Sequence, residues 1–170
     1  MRLKLSELQD TAEEKGVFHF TGEIRACLHA TLYAVKDALA GVDDVAYVSP
    51  DVIKASNGLL AGLWSSEGSC GIVLGGGIAI SMKHGTSNPH EISKIFETGM
   101  KARDFYYWFK EEFGSCNCCD LSLVTDWSDD ASRQWYGKER RTYCADILGK
   151  TARKLVSLLT EDNPDVVRDD

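Results

Sequence analysis

The chain has 170 residues, of which 44% are apolar and 26% charged, and its formal net charge is −7. A chain of this length folds as one domain and buries roughly two thirds of the surface that its unfolded form exposes, so folding requires neither a disulfide nor a metal. An acidic chain without a dense basic run is unsuited to nucleic acid or an anionic membrane, because both bind clustered cations.

Two segments bear on cellular location. Residues 1–16 mix acidic and basic side chains and contain no apolar core, which argues against a signal peptide. The longest uncharged run, residues 68–82, has fifteen residues, fewer than the roughly 20 that a membrane-spanning helix needs. We expect a cytoplasmic protein that does not enter the membrane.

The first elements in chain order are helical. Residues 1–20 are predicted to form a polar arm or a short helix. From residue 21 to 41, apolar residues recur at steps of three and four, which indicates a helix. Thr21 is its expected N-cap and Gly41 its expected stop. Cys27 lies on the apolar stripe of this pattern.

Two further helices are predicted before residue 85. Ser49 is a suitable N-cap for the first of them, and Pro50 suits its first helical position. The second covers residues 69–84, where Gly71 and Gly75 lie one turn apart and favour close packing of a neighbouring helix. Glycine weakens a helix by roughly 1 kcal/mol relative to alanine, so a β-strand over residues 71–82 is the alternative.

The C-terminal half is predicted to hold the longest helices. The first covers residues 88–114, with Gly114 as C-cap and an apolar stripe formed by Ile92, Ile95, Phe96, Gly99, Tyr106, Phe109 and Phe113. Residues 115–119 look too short and turn-rich to be regular, and residues 120–136 are ambiguous. The last helix covers residues 141–159.

This pattern predicts an all-α protein, a single-domain bundle of about five helices. We divide it into an N-terminal arm or helix (1–20), a helical domain (21–160) and an acidic tail (161–170). The tail contains Pro164 and five acidic residues, and it is expected to fray.

Cysteine is the unusual component of the composition. The six cysteines are Cys27, Cys70, Cys116, Cys118, Cys119 and Cys144. A reducing cytoplasm disfavours structural disulfides, which leaves buried residues, metal ligands or redox groups. The chain contains no Cys-x-x-Cys pair, so neither a zinc ribbon nor a thioredoxin site is indicated. Cys70 lies at a predicted helix start, where the helix dipole is expected to lower its pKa.

The sequence around four of these cysteines resembles the C_GCAxxG_C_C family of redox-active proteins. The segments that carry the resemblance are Ala26-Cys27, residues 68–75 (GSCGIVLG), residues 109–118 and residues 143–145 (YCA). Their order and spacing agree with the family over about residues 22–160. Two features depart from it: Ile72 stands where the family has alanine, and Cys116 and Cys119 are additional to the four characteristic cysteines.

The resemblance implies that Cys27, Cys70, Cys118 and Cys144 share one site and carry its chemistry. Four thiolates suit an iron–sulfur cluster, a dithiol–disulfide pair, or zinc as the alternative metal. Cys70 is the expected reactive sulfur, and Cys116 and Cys119 are expected auxiliary ligands or resolving thiols. The implied function is electron or thiol transfer with a redox partner protein.

The alternative function is a structural domain in which the cysteines hold zinc or pack in the core and an apolar surface binds a partner. The aromatic side chains of Trp127, Trp135 and Tyr136 lie in a polar stretch and mark a possible homodimer or partner contact. No nucleotide is expected, because Gly75-Gly76-Gly77 lacks the Gly-Lys-Ser/Thr of a phosphate loop. His29 has an ordinary explanation as a surface or partner-bonded histidine, and His84 and His90 as helix-end histidines.

Overall fold

The protein is mostly helical. The computed structural model describes residues 3–42 and 48–168, and 71% of these are in helices. Seven of the described α-helices have six residues or more, so the all-α prediction is right, whereas the predicted count of about five is too low. The helices are α1 (Leu5–Thr21), α2 (Cys27–Ala38), α3 (Pro50–Ser56), α4 (Leu60–Leu63), α5 (Gly71–His84), α6 (Ile92–Phe113), α7 (Cys118–Ser122), α8 (Asp130–Trp135) and α9 (Arg141–Leu159).

Two short turns and one small sheet complete the fold. A 3-10 turn, Asn57–Leu59, precedes α4, and a π-helical turn, Tyr136–Arg140, leads into α9. Strands β1 (Leu3–Lys4) and β2 (Val166–Val167) pair in parallel. The Leu3 amide donates to the Asp165 carbonyl at 3.0 Å. The predicted fraying of the tail is therefore wrong for this segment, because hydrogen bonds tie it to the N-terminus.

The core lies around α9, which packs against α1, α2 and α5, while α5 also packs against α6. The first helix belongs to this core, since it buries Leu8, Ala12 and Phe20. Of the two predictions for residues 1–20, the helix is therefore correct. Among the described helices, none is long and apolar enough to cross a membrane.

The helix boundary between α1 and α2 differs from the prediction. Thr21 ends α1, where its hydroxyl donates to the Val17 carbonyl of the preceding turn at 2.7 Å. It therefore does not cap α2, whose N-cap is Ala26. As a consequence Cys27 is the first residue of α2, at the positive end of a helix dipole.

The glycine-rich segment is helix α5, so the helix prediction is confirmed over the strand alternative. Its glycines allow two neighbours to approach. A Cβ atom at Gly75 would lie 2.9 Å from the Leu28 carbonyl oxygen of α2. A Cβ atom at Gly76 would lie 2.4 Å from the Phe105 ring of α6. Tertiary packing against both neighbours compensates for the low helix propensity of glycine.

Alanine substitutions at the adjacent residues Gly76 and Gly77 are expected to change stability in opposite directions. Gly76→Ala inserts a methyl group against the buried Phe105 ring and should lower the free energy of unfolding by about 1–3 kcal/mol. A methyl group at Gly77 would have no neighbouring atom within 4 Å, so Gly77→Ala should raise it by about 0.5–1 kcal/mol. Urea unfolding of both variants tests this, and equal shifts would contradict the packing.

Helix α6 is less buried than its apolar stripe predicts. Thr98, Phe105 and Phe109 are its buried residues, whereas Ile92 and Phe96 are each 67% exposed. The cause is the length of the neighbouring helix: α5 ends at His84, whose carbonyl accepts from the Thr98 hydroxyl at 2.8 Å. The residues of α6 before Thr98 therefore extend past the end of α5.

Candidate functional site

Four cysteines line one cavity of about 300 Å³. They come from four helices: Cys27 begins α2, Cys70 is the N-cap of α5, Cys118 begins α7 and Cys144 lies in α9. All four are free thiols, half-buried at Cys27 and buried at the other three. Three of them stand at helix N-termini, where the helix dipole favours negative charge.

A backbone pairing brings Cys70 and Cys118 to this cavity. Ser69 and Asn117 form an antiparallel bridge. Beside it, the Cys70 amide donates to the Cys116 carbonyl at 2.6 Å, and the Cys118 amide donates to the Gly68 carbonyl at 2.9 Å. The Cys-rich segment is therefore ordered by hydrogen bonds to the start of α5, and its last part forms α7 rather than the irregular loop predicted from sequence.

The absence of a side chain at Gly71 provides the space for the Cys27 sulfur. A Cβ atom at Gly71 would lie 2.5 Å from Cys27 Sγ, a distance at which one of the two must move. The Cys27 sulfur thus packs directly on the residue that follows Cys70. This contact joins the start of α2 to the start of α5.

Another wall of the cavity is formed by α4 and Trp64 after it, which together make a left-handed turn and not a right-handed helix. Ala61, Gly62, Leu63 and Trp64 all have positive φ angles between 51° and 64°, a conformation that costs non-glycine residues energy and is concentrated at functional sites. At Gly62 a Cβ atom would lie 3.0 Å from the Cβ of Cys118. Trp64 lines the cavity and is 60% exposed, so the cavity reaches the surface beside this side chain.

Burial holds the cavity thiols in their neutral form. It raises the pKa of Cys27 from an ordinary 9.0 to about 12, and it raises the pKa of Cys70 well above the ordinary value. The neighbouring sulfurs add to both increases, since several negative charges would repel one another. The predicted lowering of the Cys70 pKa is therefore wrong: the Ile72 amide does favour the thiolate, but loss of solvent outweighs it.

The other two thiols face aromatic side chains that carry polar hydrogens. The Tyr136 hydroxyl hydrogen-bonds to Cys144 and opposes the increase in its pKa that burial causes. The Trp127 indole N–H lies close enough to Cys118 to lower its pKa, yet within residues 3–42 and 48–168 it is a buried donor without a well-formed hydrogen bond. The two rings contact each other edge to face, with centroids 5.0 Å apart.

Sequence reasoning assigned Trp127 and Tyr136 to a partner surface and missed their place in the site. Both line the cavity. Tyr136 begins the π-helical turn, a distortion that frequently occurs at functional sites. The only signal in the sequence is the pair of large aromatic residues in a polar segment, which is compatible with either environment. Trp135, also assigned to that surface, is 42% exposed.

Cys116 and Cys119 are not among the residues that line the cavity. Cys116 is buried and its thiol donates to the Tyr106 carbonyl at 3.6 Å, whereas Cys119 is half-buried with its thiol 3.7 Å from Asp120 Oδ1. The structure thus leaves both of them outside the cavity that the other four cysteines line.

The histidines also lie outside the cavity lining. His29 is buried, and its Nε2 lies 3.0 Å from the Ser56 hydroxyl, as expected for a partner-bonded core histidine. In the described part of the chain no group of three or more His, Cys, Asp or Glu side chains is arranged to hold a metal ion. Thiols are a type of ligand that suits a metal ion, but the four thiols of the cavity are not arranged around a common point that could hold one.

A family model matches the chain over residues 26–158, which include all four cavity cysteines. Its description is "Putative redox-active protein (C_GCAxxG_C_C)". No curated protein and no solved structure matches the chain significantly. Because the match covers most of the sequence and contains the four cysteines in their order, the chain belongs to the C_GCAxxG_C_C family of redox-active proteins.

Proposed function

We infer that Cys27 and Cys70 form a two-electron redox couple in the cavity. In the reduced state both are thiols; on oxidation two S–H bonds break, one S–S bond forms, and two electrons and two protons pass to an acceptor. The observation that carries this proposal is the contact of Cys27 Sγ with Gly71, next to Cys70. It supports pairing of the Cys27 sulfur with the Cys70 sulfur.

The surroundings of the pair support the same chemistry. Cys27 and Cys70 both lie at the N-terminal ends of long helices, and the amides of Leu28 and Ile72 favour negative charge on their sulfurs. During oxidation a sulfur becomes more negatively charged as it loses its proton, and a helix N-terminus stabilises that charge. Burial keeps the resting dithiol protonated, which slows its reaction with thiol reagents in general.

Disulfide mapping tests the proposal. Reduced protein is treated with the general thiol oxidant diamide and then digested for mass spectrometry, in a Cys116→Ser, Cys119→Ser background that keeps the four cavity sulfurs. We expect a Cys27–Cys70 disulfide that forms reversibly in a glutathione redox titration. Cys70→Ser in this background should abolish the redox transition, while the background itself, which lacks only the two cysteines outside the cavity, should titrate like the unsubstituted protein. A Cys118–Cys144 disulfide as the sole product would contradict the proposal.

An iron–sulfur cluster is the second candidate, favoured by the presence of four thiols at one cavity, since cluster iron is held by cysteine thiolates. It would require the sulfurs to move together from their present arrangement. Anaerobic purification with iron, zinc and sulfide analysis tests it. Equal amounts of iron and sulfide together with visible absorption would support a cluster. Zinc alone would support a structural metal site. A protein without either metal would support the dithiol couple.

A further inference from the structure

The cavity beside the cysteines has the dimensions and walls of a small-molecule site. Its volume of about 300 Å³ is at the lower end of the range for ligand pockets, which are mostly apolar with a few polar groups. Phe20, Trp64, Trp127 and Tyr136 contribute aromatic rings to its lining. Such walls suit a flat, apolar molecule.

One polar group of this lining has only a poorly formed interaction, because the Trp127 indole N–H lies near the Cys118 sulfur, close enough to lower the pKa of that thiol. The Trp127 indole N–H is buried and, in the part of the chain that the structure describes, has no well-formed hydrogen bond. The Tyr136 hydroxyl, by contrast, is engaged by Cys144. Leaving a buried donor unpaired is unfavourable, so an occupant with a hydrogen-bond acceptor, such as a carbonyl oxygen, would satisfy Trp127.

The charge balance of the site limits the chemistry of that occupant. Apart from Arg25, which is exposed, no charged side chain lines the cavity in the described part of the chain, so a charged product deep in it would be poorly solvated. Transfer of two electrons together with two protons avoids any net charge: the neutral dithiol becomes a neutral disulfide, and the acceptor stays neutral. The pKa of Cys27, raised by burial, is consistent with thiols that keep their protons until this step.

We propose that the cavity binds a small quinone, which oxidises the Cys27–Cys70 dithiol. The two S–H bonds break, the S–S bond forms, and the quinone gains two O–H bonds to become the hydroquinone. One carbonyl of the quinone accepts from the Trp127 indole, and the ring lies among the aromatic walls.

This inference rests on the redox couple proposed above, and duroquinone tests it separately. Every ring carbon of duroquinone that could add a thiol carries a methyl group, so it reports electron transfer rather than alkylation. Under anaerobic conditions we expect reduced protein to convert one duroquinone to hydroquinone for each Cys27–Cys70 disulfide formed. Oxidised glutathione, a large polar disulfide, should oxidise the pair far more slowly than duroquinone at equal concentration.

Two tryptophan variants provide the matched comparison. Trp127→Phe retains an aromatic wall but removes the N–H, and it should raise the duroquinone concentration at half-maximal rate by about tenfold. Diamide oxidation of the same variant is measured in parallel, so that any effect on the thiols themselves is accounted for. Trp135→Phe changes an exposed tryptophan that is not part of the cavity lining, and it should alter neither reaction.

Three results separate the possible failures. If diamide forms the Cys27–Cys70 disulfide but duroquinone is not reduced, the quinone site is wrong and the redox couple stands. If Trp127→Phe reduces duroquinone as well as the unmodified protein, or if glutathione is the faster oxidant, the quinone site is also wrong. If no oxidant forms the disulfide, both proposals fail.

Discussion

The Cys27 thiol is expected to react with methyl methanethiosulfonate about fiftyfold more slowly near neutral pH than an ordinary thiol. Burial raises its pKa from 9.0 to about 12, which lowers the fraction of reactive thiolate at neutral pH by about a thousandfold. A more basic thiolate is intrinsically more nucleophilic, which raises the rate of each thiolate by about 15- to 30-fold and offsets part of this decrease. Ionisation therefore has the larger effect, and steric shielding acts in the same direction.

The pH profile distinguishes ionisation from shielding. In the folded protein the Cys27 rate should rise tenfold per pH unit to beyond pH 10, whereas the same residue in guanidinium should level off above about pH 9, near its ordinary pKa of 9.0. Short labelling pulses with peptide mapping measure both. A folded-state rate at pH 7 equal to that in denaturant would contradict the raised pKa, because it would mean that the helix N-terminus offsets the effect of burial.

The same increase in pKa links stability to pH. The folded state holds the Cys27 proton where the unfolded state releases it, so this contribution is complete below about pH 9 and is lost as the pH rises from about 9 towards 12. Cys27→Ser should make the free energy of unfolding less dependent on pH in this window. A Cys119→Ser variant, at a half-buried thiol outside the cavity, is the matched control.

Phe109→Ala is expected to lower the free energy of unfolding by about 3–5 kcal/mol. The Phe109 ring is completely buried and lies 4.7 Å from Phe113 and 6.4 Å from Phe105 between ring centroids. Its removal leaves a cavity between α6 and the rest of the core. Urea unfolding measures the loss of stability. If the alanine variant does not fold, Phe109→Leu, which retains part of the side-chain volume, replaces it and should show a smaller loss of stability.

The neighbouring Tyr107 provides the control for this prediction. It belongs to the same helix but is 59% exposed, so Tyr107→Ala should change stability by no more than about 0.5 kcal/mol. Similar losses for the two variants would mean that helix propensity rather than core packing determines the stability of α6.

Burial is distributed unevenly along α6, which is why the large destabilisation is expected at Phe109. Its C-terminal half is anchored by Phe105 and Phe109, while Ile92 and Phe96 in its N-terminal half remain exposed. The same apolar period continues through both halves, so periodicity identified a helix without showing where its partner ends. The two halves differ in burial because α5 ends at His84, opposite Thr98 in the middle of the stripe.

Local signals in the sequence were sufficient for several elements. The residues of α9 match the predicted range 141–159, Ser49 accepts from the Val52 amide at 3.3 Å as an N-cap should, and Gly114 ends α6 with a φ of +83°. The physical reason is that capping and helical periodicity depend on residues within a few positions of each other. The order and context of the four cysteines likewise sufficed to indicate the family.

Tertiary structure decided the features that depend on distant residues. The position of Cys27 against Gly71 and the place of Trp127 and Tyr136 in the cavity arise from packing between separate helices. The pKa of Cys70 shows the same principle: its helix-start position could be predicted from sequence, but burial by side chains from elsewhere in the chain reversed the expected shift. Sequence therefore determined the helices and the family, whereas the cavity and its electrostatics required the folded chain, because solvent exclusion is a property of the whole assembly of helices.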